Sequence, residues 1–334
     1  LRLVFFSYCL FVSLFLSAQE SRYSFSRQKI GSYFNLIFYA RDSLQANNMA
    51  DACYSLVDSL NNIFSDYLPN SELNRLCAMA GIDSFVLLSP PLFEIFLQAE
   101  KAWQHTKGSF DITIGPLSKV WRKGRREKSF PHPDTISKAT ESIGWKNMVF
   151  DKDNHRVKLL HKNMQLDLGG IAAGYIAQKV AGFLTTKGIA SALVDASGDI
   201  VCTNAPPGKK GWIIGINQPN ETNKILAKNI ELENGSISTS GDVFQFIEHK
   251  GKKYSHIIDP RTGYGVSFQR NVTVITSDGT RADWLATAFS IMPLCRVKKL
   301  AKKLNASFLI MQMKQGKLKQ FSSTDFRNYW QKTN

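Results

Sequence analysis

Apolar positions recur along this chain with two periods. Over residues 47–64, Cys53, Leu56, Val57, Leu60 and Phe64 fall at helical spacing and predict an amphipathic helix. Over 90–105, Leu92, Phe93, Phe96, Ala99 and Trp103 share one side of a second helix, which Gly108 ends. Ser71 is placed to cap a short helix through Cys77. Helices are also predicted over 135–143, 172–186, 281–292 and 298–304. Apolar runs bounded by turn residues predict strands at 32–40, 166–168, 192–202, 212–216, 237–241, 243–249, 254–258 and 272–276. Residues 149–160 read as a hairpin, and 308–313 with 318–321 as another, turning at Gln315-Gly316. Residues 122–133 are basic and polar and read as a mobile surface loop. Helices and strands mix without strict alternation. The expected fold class is therefore α+β, with mixed, largely antiparallel sheets and packed helices. No repeat or linker divides the chain, so 19–334 is expected to form one large domain.

The first segment stands apart. Residues 1–17 are almost entirely apolar, with Arg2 as a minimal positive end and Ser17-Ala18 as small residues at a cleavage point. Residues 1–18 thus resemble a secretory signal peptide, implying an exported protein, periplasmic or associated with the inner membrane. Leu16 is not ideal three residues before the cut, which leaves an uncleaved anchor as the alternative. The apolar run is short for a stable span. Cys9 lies inside it and no Cys follows it directly, so a lipid anchor is not indicated.

Charge narrows the partners. A formal net charge of +15 favours anionic ligands or surfaces. The basic runs do not interleave aromatics as a single-strand groove does, and nucleic acid is not an expected partner. Five cysteines are present: Cys9, Cys53, Cys77, Cys202 and Cys295. None has the CxxC spacing of zinc or thioredoxin-type sites. An exported protein allows a disulfide, and the sequence does not choose among the pairings.

Candidate chemistry sits in short polar stretches. Ser255-His256-Ile257-Ile258-Asp259-Pro260-Arg261-Thr262-Gly263 groups a His, a carboxylate and an Arg at a Gly-closed turn. Asp283 and Thr287 are four residues apart, on one face of a predicted helix. A carboxylate and a hydroxyl one turn apart are hard oxygen ligands suited to Mg²⁺. The alternative is an ordinary helix start with Asp283 near the cap. Gly108 to Leu117 reads as an extended run presenting Asp111 and Thr113 on one face, unless Asp111 bonds its own turn. Asp167-Leu168-Gly169-Gly170-Ile171-Ala172-Ala173-Gly174-Tyr175 reads as a strand, a Gly-rich turn and a helix start whose amides suit phosphate. It lacks GxGxxG spacing, so a dinucleotide-binding βαβ unit is not supported. Asp195 to Asp199 and Ser238 to Gly241 read as further small-residue turns.

Taken in order, these stretches resemble the ApbE family of FAD:protein FMN transferases. The set includes Ser65-Asp66-Tyr67, Phe110-Asp111-Ile112-Thr113-Ile114-Gly115-Pro116, Asp167-Leu168-Gly169-Gly170, Thr239-Ser240-Gly241, the His256 stretch and Ala282-Asp283 with Thr287, over about residues 27–325. The resemblance implies an exported enzyme that binds FAD and Mg²⁺. It implies transfer of FMN to a Thr hydroxyl of a partner protein, a membrane redox-complex subunit, with release of AMP. Asp283, Thr287 and the Ala172 carbonyl match the family's metal ligands, and His256 matches the base that takes the acceptor proton. Tyr67, Asp111, Gly169, Tyr175 and Ser240 match flavin or nucleotide contacts, joined by Ile30, Ser109, Phe110 and Ile257. Tyr67 is expected to pack on a ring face.

Departures from the family pattern are Ala173 for a common Lys, Gln178 for Asp, Ser197 for Gly, Ile30 for Met and Cys77 for Asn. Ala173 keeps open an exported FAD-binding protein with little turnover, and the family resemblance implies a further alternative, an FAD pyrophosphatase giving FMN and AMP. Ser277-Asp278-Gly279-Thr280 looks superficially like a flavinylated acceptor motif and reads as a turn.

Overall fold

A computed structural model describes residues 20–216, 226, 228–241, 245–268, 270–314 and 317–331. The predicted signal segment lies outside the described residues, as do Val243 and the Gln315-Gly316 turn. The chain opens with an antiparallel pair, β1 (Ser21–Lys29) and β2 (Ser32–Ala40), turning at Ile30-Gly31. Next come α1 (Ser43–Phe64), α2 (Glu72–Ala78), β3 (Val86–Leu87), α3 (Pro90–Thr106), α4 (Gly115–Glu127) and α5 (Pro133–Thr140). A hairpin of β4 (Met148–Asp151) and β5 (Arg156–Leu159) precedes α6 (Ala172–Thr186). Strands β6 (Ala192–Ala196), β7 (Asp199–Cys202), β8 (Trp212–Ile214), β9 (Ile230–Leu232) and β10 (Gly235–Gly241) follow. After the hairpin β11 (Phe246–His249) and β12 (Lys252–Ser255) come β13 (Arg270–Thr276), α7 (Gly279–Ile291), α8 (Leu294–Lys303), β14 (Ser307–Lys314) and β15 (Lys317–Ser322).

Eight strands form one sheet in the order β1-β2-β6-β7-β10-β13-β14-β15, every neighbour antiparallel. Alternation along β2 explains its two-sided packing. Phe34, Leu36, Phe38 and Ala40 face the main core with α1, α3, α6 and α7, while Ile37 and Tyr39 face a second core under Trp212 and Phe326. A third, smaller core matters for the site. Leu117 and Trp121 of α4, Ile136 of α5, Ile247 of β11 and Ile258 pack together with Tyr254 and Tyr264 beside them. Trp121 is fully buried, and its indole N–H donates to the Gly263 carbonyl at 2.9 Å. This core holds α4 against the turn that carries His256.

Several expectations change. The predicted loop at 122–133 is helical through Glu127. Pro116 fits a helix start, and Leu117, Trp121 and Gly124 form a buried stripe too narrow to show through the basic residues. The run around Asp111 is not extended: Ile112–Ile114 is a 3-10 turn capped by Asp111, whose Oδ1 accepts from Thr113 N and Oγ1. Residues 166–168 are irregular, tied in by Asp167 N–H to the Ile112 carbonyl at 2.8 Å. The run at 192–202 is two strands, not one, and the small-residue turn expected at Asp195 to Asp199 is the hairpin turn between them, passing through Ser197 and Gly198, both at positive φ (64° and 99°). Ser238 to Gly241 lie within β10 and are not a turn. The first strand, β1, carried no signal because most of its positions are exposed and polar. Helix α7 begins at Gly279 behind the cap residue Asp278, which puts Asp283 in the helix body. Cys53, Cys77 and Cys202 are buried free thiols and Cys295 an exposed one, so no disulfide joins them.

Candidate active site

The site is built where α6 and α7 cross. A Cβ on Gly174 would lie 2.2 Å from the Gly279 carbonyl oxygen and 2.7 Å from Asp283 Cβ. Glycine at 174 is what lets the two backbones approach this closely. At that contact Gly174 N–H donates to Asp283 Oδ2 at 3.0 Å. One turn further along α7, Thr287 faces the Gly-rich turn before α6. A Cβ on Gly170 would lie 2.9 Å from Thr287 Oγ1 and 3.2 Å from the Phe110 ring. Gln178, where the family pattern leads one to expect Asp, accepts from Gly279 N at 2.8 Å and so fastens the start of α7 to α6.

The carboxylate here is desolvated. Asp283 is 5% exposed, and burial, with the neighbouring Asp199 charge, holds its carboxyl well above the ordinary range. Asp199 is raised in turn by burial and by Asp195, and accepts from Ser238 Oγ. Among the described residues no cationic side chain pairs with Asp283. Nor do those residues contain a cluster of three or more His, Cys, Asp or Glu side chains able to hold a metal. A cation at this place would be held by mixed oxygens: the Asp283 carboxylate, the Thr287 hydroxyl and main-chain carbonyls of the α6 start, Ala172 included.

A second cluster lies at the other end of the Asp167–Gly174 segment. Arg122, on α4, donates to Asp66 and, at 2.9 Å, to Asp167 Oδ2. Its guanidinium carbon lies 4.4 Å from the centre of the Tyr67 ring. The ring is otherwise open, with Tyr67 72% exposed. Asp167 also accepts from Gly169 N through Oδ1 at 2.8 Å, which links Arg122 to the Gly-rich turn. His256 completes the cluster. Its backbone N–H donates to the Gln245 carbonyl at 2.8 Å, and its ring Nδ1 is buried without a partner. Burial, followed by the charge of Arg125, pushes the imidazole down to about 4, so it is neutral at physiological pH.

Other residues singled out in the sequence take different places. Arg261 forms a two-bond fork on Asp259, at 2.8 and 2.6 Å, so this Arg serves its own turn. Asp111 is buried and commits Oδ1 to the Thr113 turn and Oδ2 to Trp145 N. Ser109 is buried with an unpaired hydroxyl, and Phe110 packs near Trp284. Tyr175 is turned into the core: it is 2% exposed, meets Phe64 edge-on and donates to Glu94 Oε2 at 2.8 Å. Ile30 occupies the β1–β2 turn at φ 47°, Ser240 pairs with Val272 on β10–β13, and Ile257 packs with Val266 and Ile291. Thr280 is 4% exposed, and Asp278 caps α7, so the Ser277–Thr280 stretch is a helix start. The sequence reading missed Arg122 and Arg125. Their spacing of three, directly after a Trp, was the available signal for a helix face.

Comparison with known proteins agrees with this geometry. The ApbE family model matches residues 30–310. An FAD:protein FMN transferase of Klebsiella pneumoniae (strain 342) is 28% identical over 271 residues, covering 80% of this chain and 82% of the relative. One of Treponema pallidum (strain Nichols) is 28% identical over 290 residues, covering 82% and 80%. Among solved structures, the ApbE protein of Thermotoga maritima superimposes with a TM-score of 0.83 at 26% identity, covering 93% of this chain and all (100%) of that one. The flavin transferase ApbE of Vibrio cholerae gives 0.83 at 24% identity, covering 93% and 99%. A match of the family model over most of the chain, on the same fold, means that this chain belongs to the ApbE family.

Proposed function

We propose that this protein transfers FMN from FAD to a Thr hydroxyl of a partner protein, forming a phosphoester and releasing AMP. The observation that carries the reading is the α6–α7 crossing, which sets Asp283 and Thr287 against the amide-rich first turn of α6. Such a helix start suits a diphosphate, and the oxygen pair suits a hard divalent cation. Asp283, Thr287 and the Ala172 carbonyl would hold Mg²⁺. The donor set fits: a buried carboxylate with no cationic side-chain partner is stabilised by a bound cation. When bound, the ion neutralises charge on the diphosphate.

The residues of the chain account for the remaining steps. Tyr67, braced from behind by Arg122, offers its open face to a flat ring. The acceptor hydroxyl oxygen attacks the FMN-side phosphorus, and the bond from that phosphorus to the bridging oxygen breaks. AMP leaves with the bridging oxygen. The hydroxyl proton passes to neutral His256 at Nε2, the ring nitrogen left open when Nδ1 is sealed off. The apolar N-terminal segment supports action outside the cytoplasm, in the periplasm or at the inner membrane, near a membrane redox-complex acceptor. Among the described residues no helix is long and apolar enough to cross a membrane.

Incubation of the protein with FAD, Mg²⁺ and a Thr-containing acceptor domain tests the reading, with mass spectrometry of the acceptor as readout. An acceptor heavier by one FMN, lost with Asp283→Ala, is the expected result. Free FMN with no labelled protein would replace the transferase by a pyrophosphatase. Bound FAD with neither product would leave a flavin-binding protein.

A further inference from the structure

We propose that Arg125 binds the diphosphate of the flavin dinucleotide on the His256 side of the site. The inference rests on the reading of the site as an FAD-using centre.

Helix α4 cannot rotate freely. Trp121 is buried and hydrogen-bonded to Gly263, and a Cβ on Gly124 would lie 2.7 Å from the Ser129 carbonyl oxygen and 3.1 Å from Ile247 Cδ1. With these two residues against the small core, Arg122 and Arg125 are left on a shared face, three residues apart. Their charges are treated differently. Arg122 is held by two carboxylates, Asp66 and Asp167. Arg125 is half-buried, yet among the described residues its side chain makes no hydrogen bond and no ion pair. Burial and the adjacent Arg122 both work against its charge. A guanidinium placed this way lacks an anion among the described residues.

The surroundings say what kind of anion. The charge of Arg125 acts on Tyr67, Asp167 and His256. Asp167 is already committed to Arg122 and to Gly169 N–H, so among the described residues no carboxylate is left to answer Arg125, and a ligand would supply the counter-charge. In a flavin dinucleotide the rings are neutral and the diphosphate carries the charge. Guanidinium matches phosphate oxygens with two parallel hydrogen bonds. With a flavin ring on Tyr67 and the proton acceptor at His256, a phosphoryl group between them meets Arg125.

The test compares binding of FAD with binding of riboflavin, which has the same ring and no phosphate. Wild type, Arg125→Gln and Arg125→Lys are titrated by quenching of flavin fluorescence, in Mg²⁺ and without acceptor. The expected result is an FAD affinity weakened roughly tenfold in Arg125→Gln, partly recovered in Arg125→Lys, with riboflavin unchanged. The salt dependence of FAD binding should also flatten in the Gln variant. In transfer assays, the acid limb of the pH profile should move up, because a positive charge beside His256 is gone. Unchanged FAD binding in Arg125→Gln overturns the assignment, as does an equal loss of FAD and riboflavin. Unchanged FAD binding with slower labelling of the acceptor alone overturns it in favour of a contact with the acceptor protein. Wild-type protein that binds FAD no better than riboflavin would instead sink the flavin-dinucleotide reading itself.

Discussion

Asp283 reaches across from α7 to accept a hydrogen bond from the backbone N–H of Gly174 at 3.0 Å, at a helix crossing where position 174 has no room for a Cβ. This contact fixes both the angle of the two helices and the location of the carboxylate. Gly174→Ala is therefore expected to destabilise the fold by about 1–3 kcal/mol through overpacking. It should also raise the Mg²⁺ concentration needed for half-maximal FMN transfer. Urea unfolding and Mg²⁺ titration of activity check the two effects together. An Ala variant with unchanged stability would mean that the crossing has slack.

Asp283→Asn keeps the shape and the acceptor for Gly174 N–H while removing the charge. Transfer should fall by roughly a hundredfold or more, since metal stabilisation of a phosphoryl transition state is worth several kcal/mol. The urea midpoint should not fall, because burial already disfavours the charged carboxylate. Thr287→Val is the milder companion. It removes Oγ1 but keeps the methyl that faces Gly170, and should raise the Mg²⁺ concentration giving half-maximal rate.

His256 is held down to about 4, below the 6.5 of an unperturbed imidazole. At saturating Mg²⁺, which keeps Asp283 ionised, kcat/KM should therefore stay flat from neutral pH to near pH 5 and fall along an acid limb close to 4. An ordinary imidazole would place that limb near 6.5. Stability has a matching sign. Above the unfolded value the ring is neutral in both states and contributes nothing to pH dependence. As pH falls from 6.5 through 4, the unfolded chain binds the proton first, and stability drops. His256→Gln should lose this part of the pH dependence of stability, measured by denaturation at a series of pH values.

Arg122 bridges Asp66 and Asp167 while backing the Tyr67 ring. Arg122→Met leaves two partly buried carboxylates facing each other without a cation. The expected cost is on the order of 1–3 kcal/mol, below that of a fully buried pair because the Arg side chain keeps 25% of its exposure. Arg122→Lys should not restore it, since one ammonium cannot reproduce the two-sided fork. A double-mutant cycle with Tyr67→Ala should give a coupling of about 0.5–1 kcal/mol for the stacked pair.

Alkylation of the native protein should label Cys295 and spare Cys53, Cys77 and Cys202, which are buried. Reducing agent should leave the melting temperature unchanged. Labelling of a buried thiol before unfolding, read by peptide mass spectrometry, would contradict the packing described.

What the sequence determined was local. Period gave α3 and β2 nearly to their ends and α1 all but its first turn, where the cap Asp42 went unread, because each buries one regular face. Spacing alone put Asp283 and Thr287 on one face of α7, and residue order alone carried the family resemblance. The tertiary structure decided which polar groups meet. Helix α4 was hidden because its buried stripe has only Leu117 and Trp121 as large apolar residues, with Ser118 and Gly124 beside them among cations, and the surface it docks on comes from β11 and the His256 turn, far away in sequence. Asp111 and Tyr175 carry functional side chains by type, yet their partners, Trp145 and Glu94, turn them inward. Arg122 and Arg125 look alike in the sequence; only the fold places two carboxylates against the first and, among the described residues, none against the second. Periodicity records a residue's own face, whereas charge pairing and burial depend on what other segments bring to it.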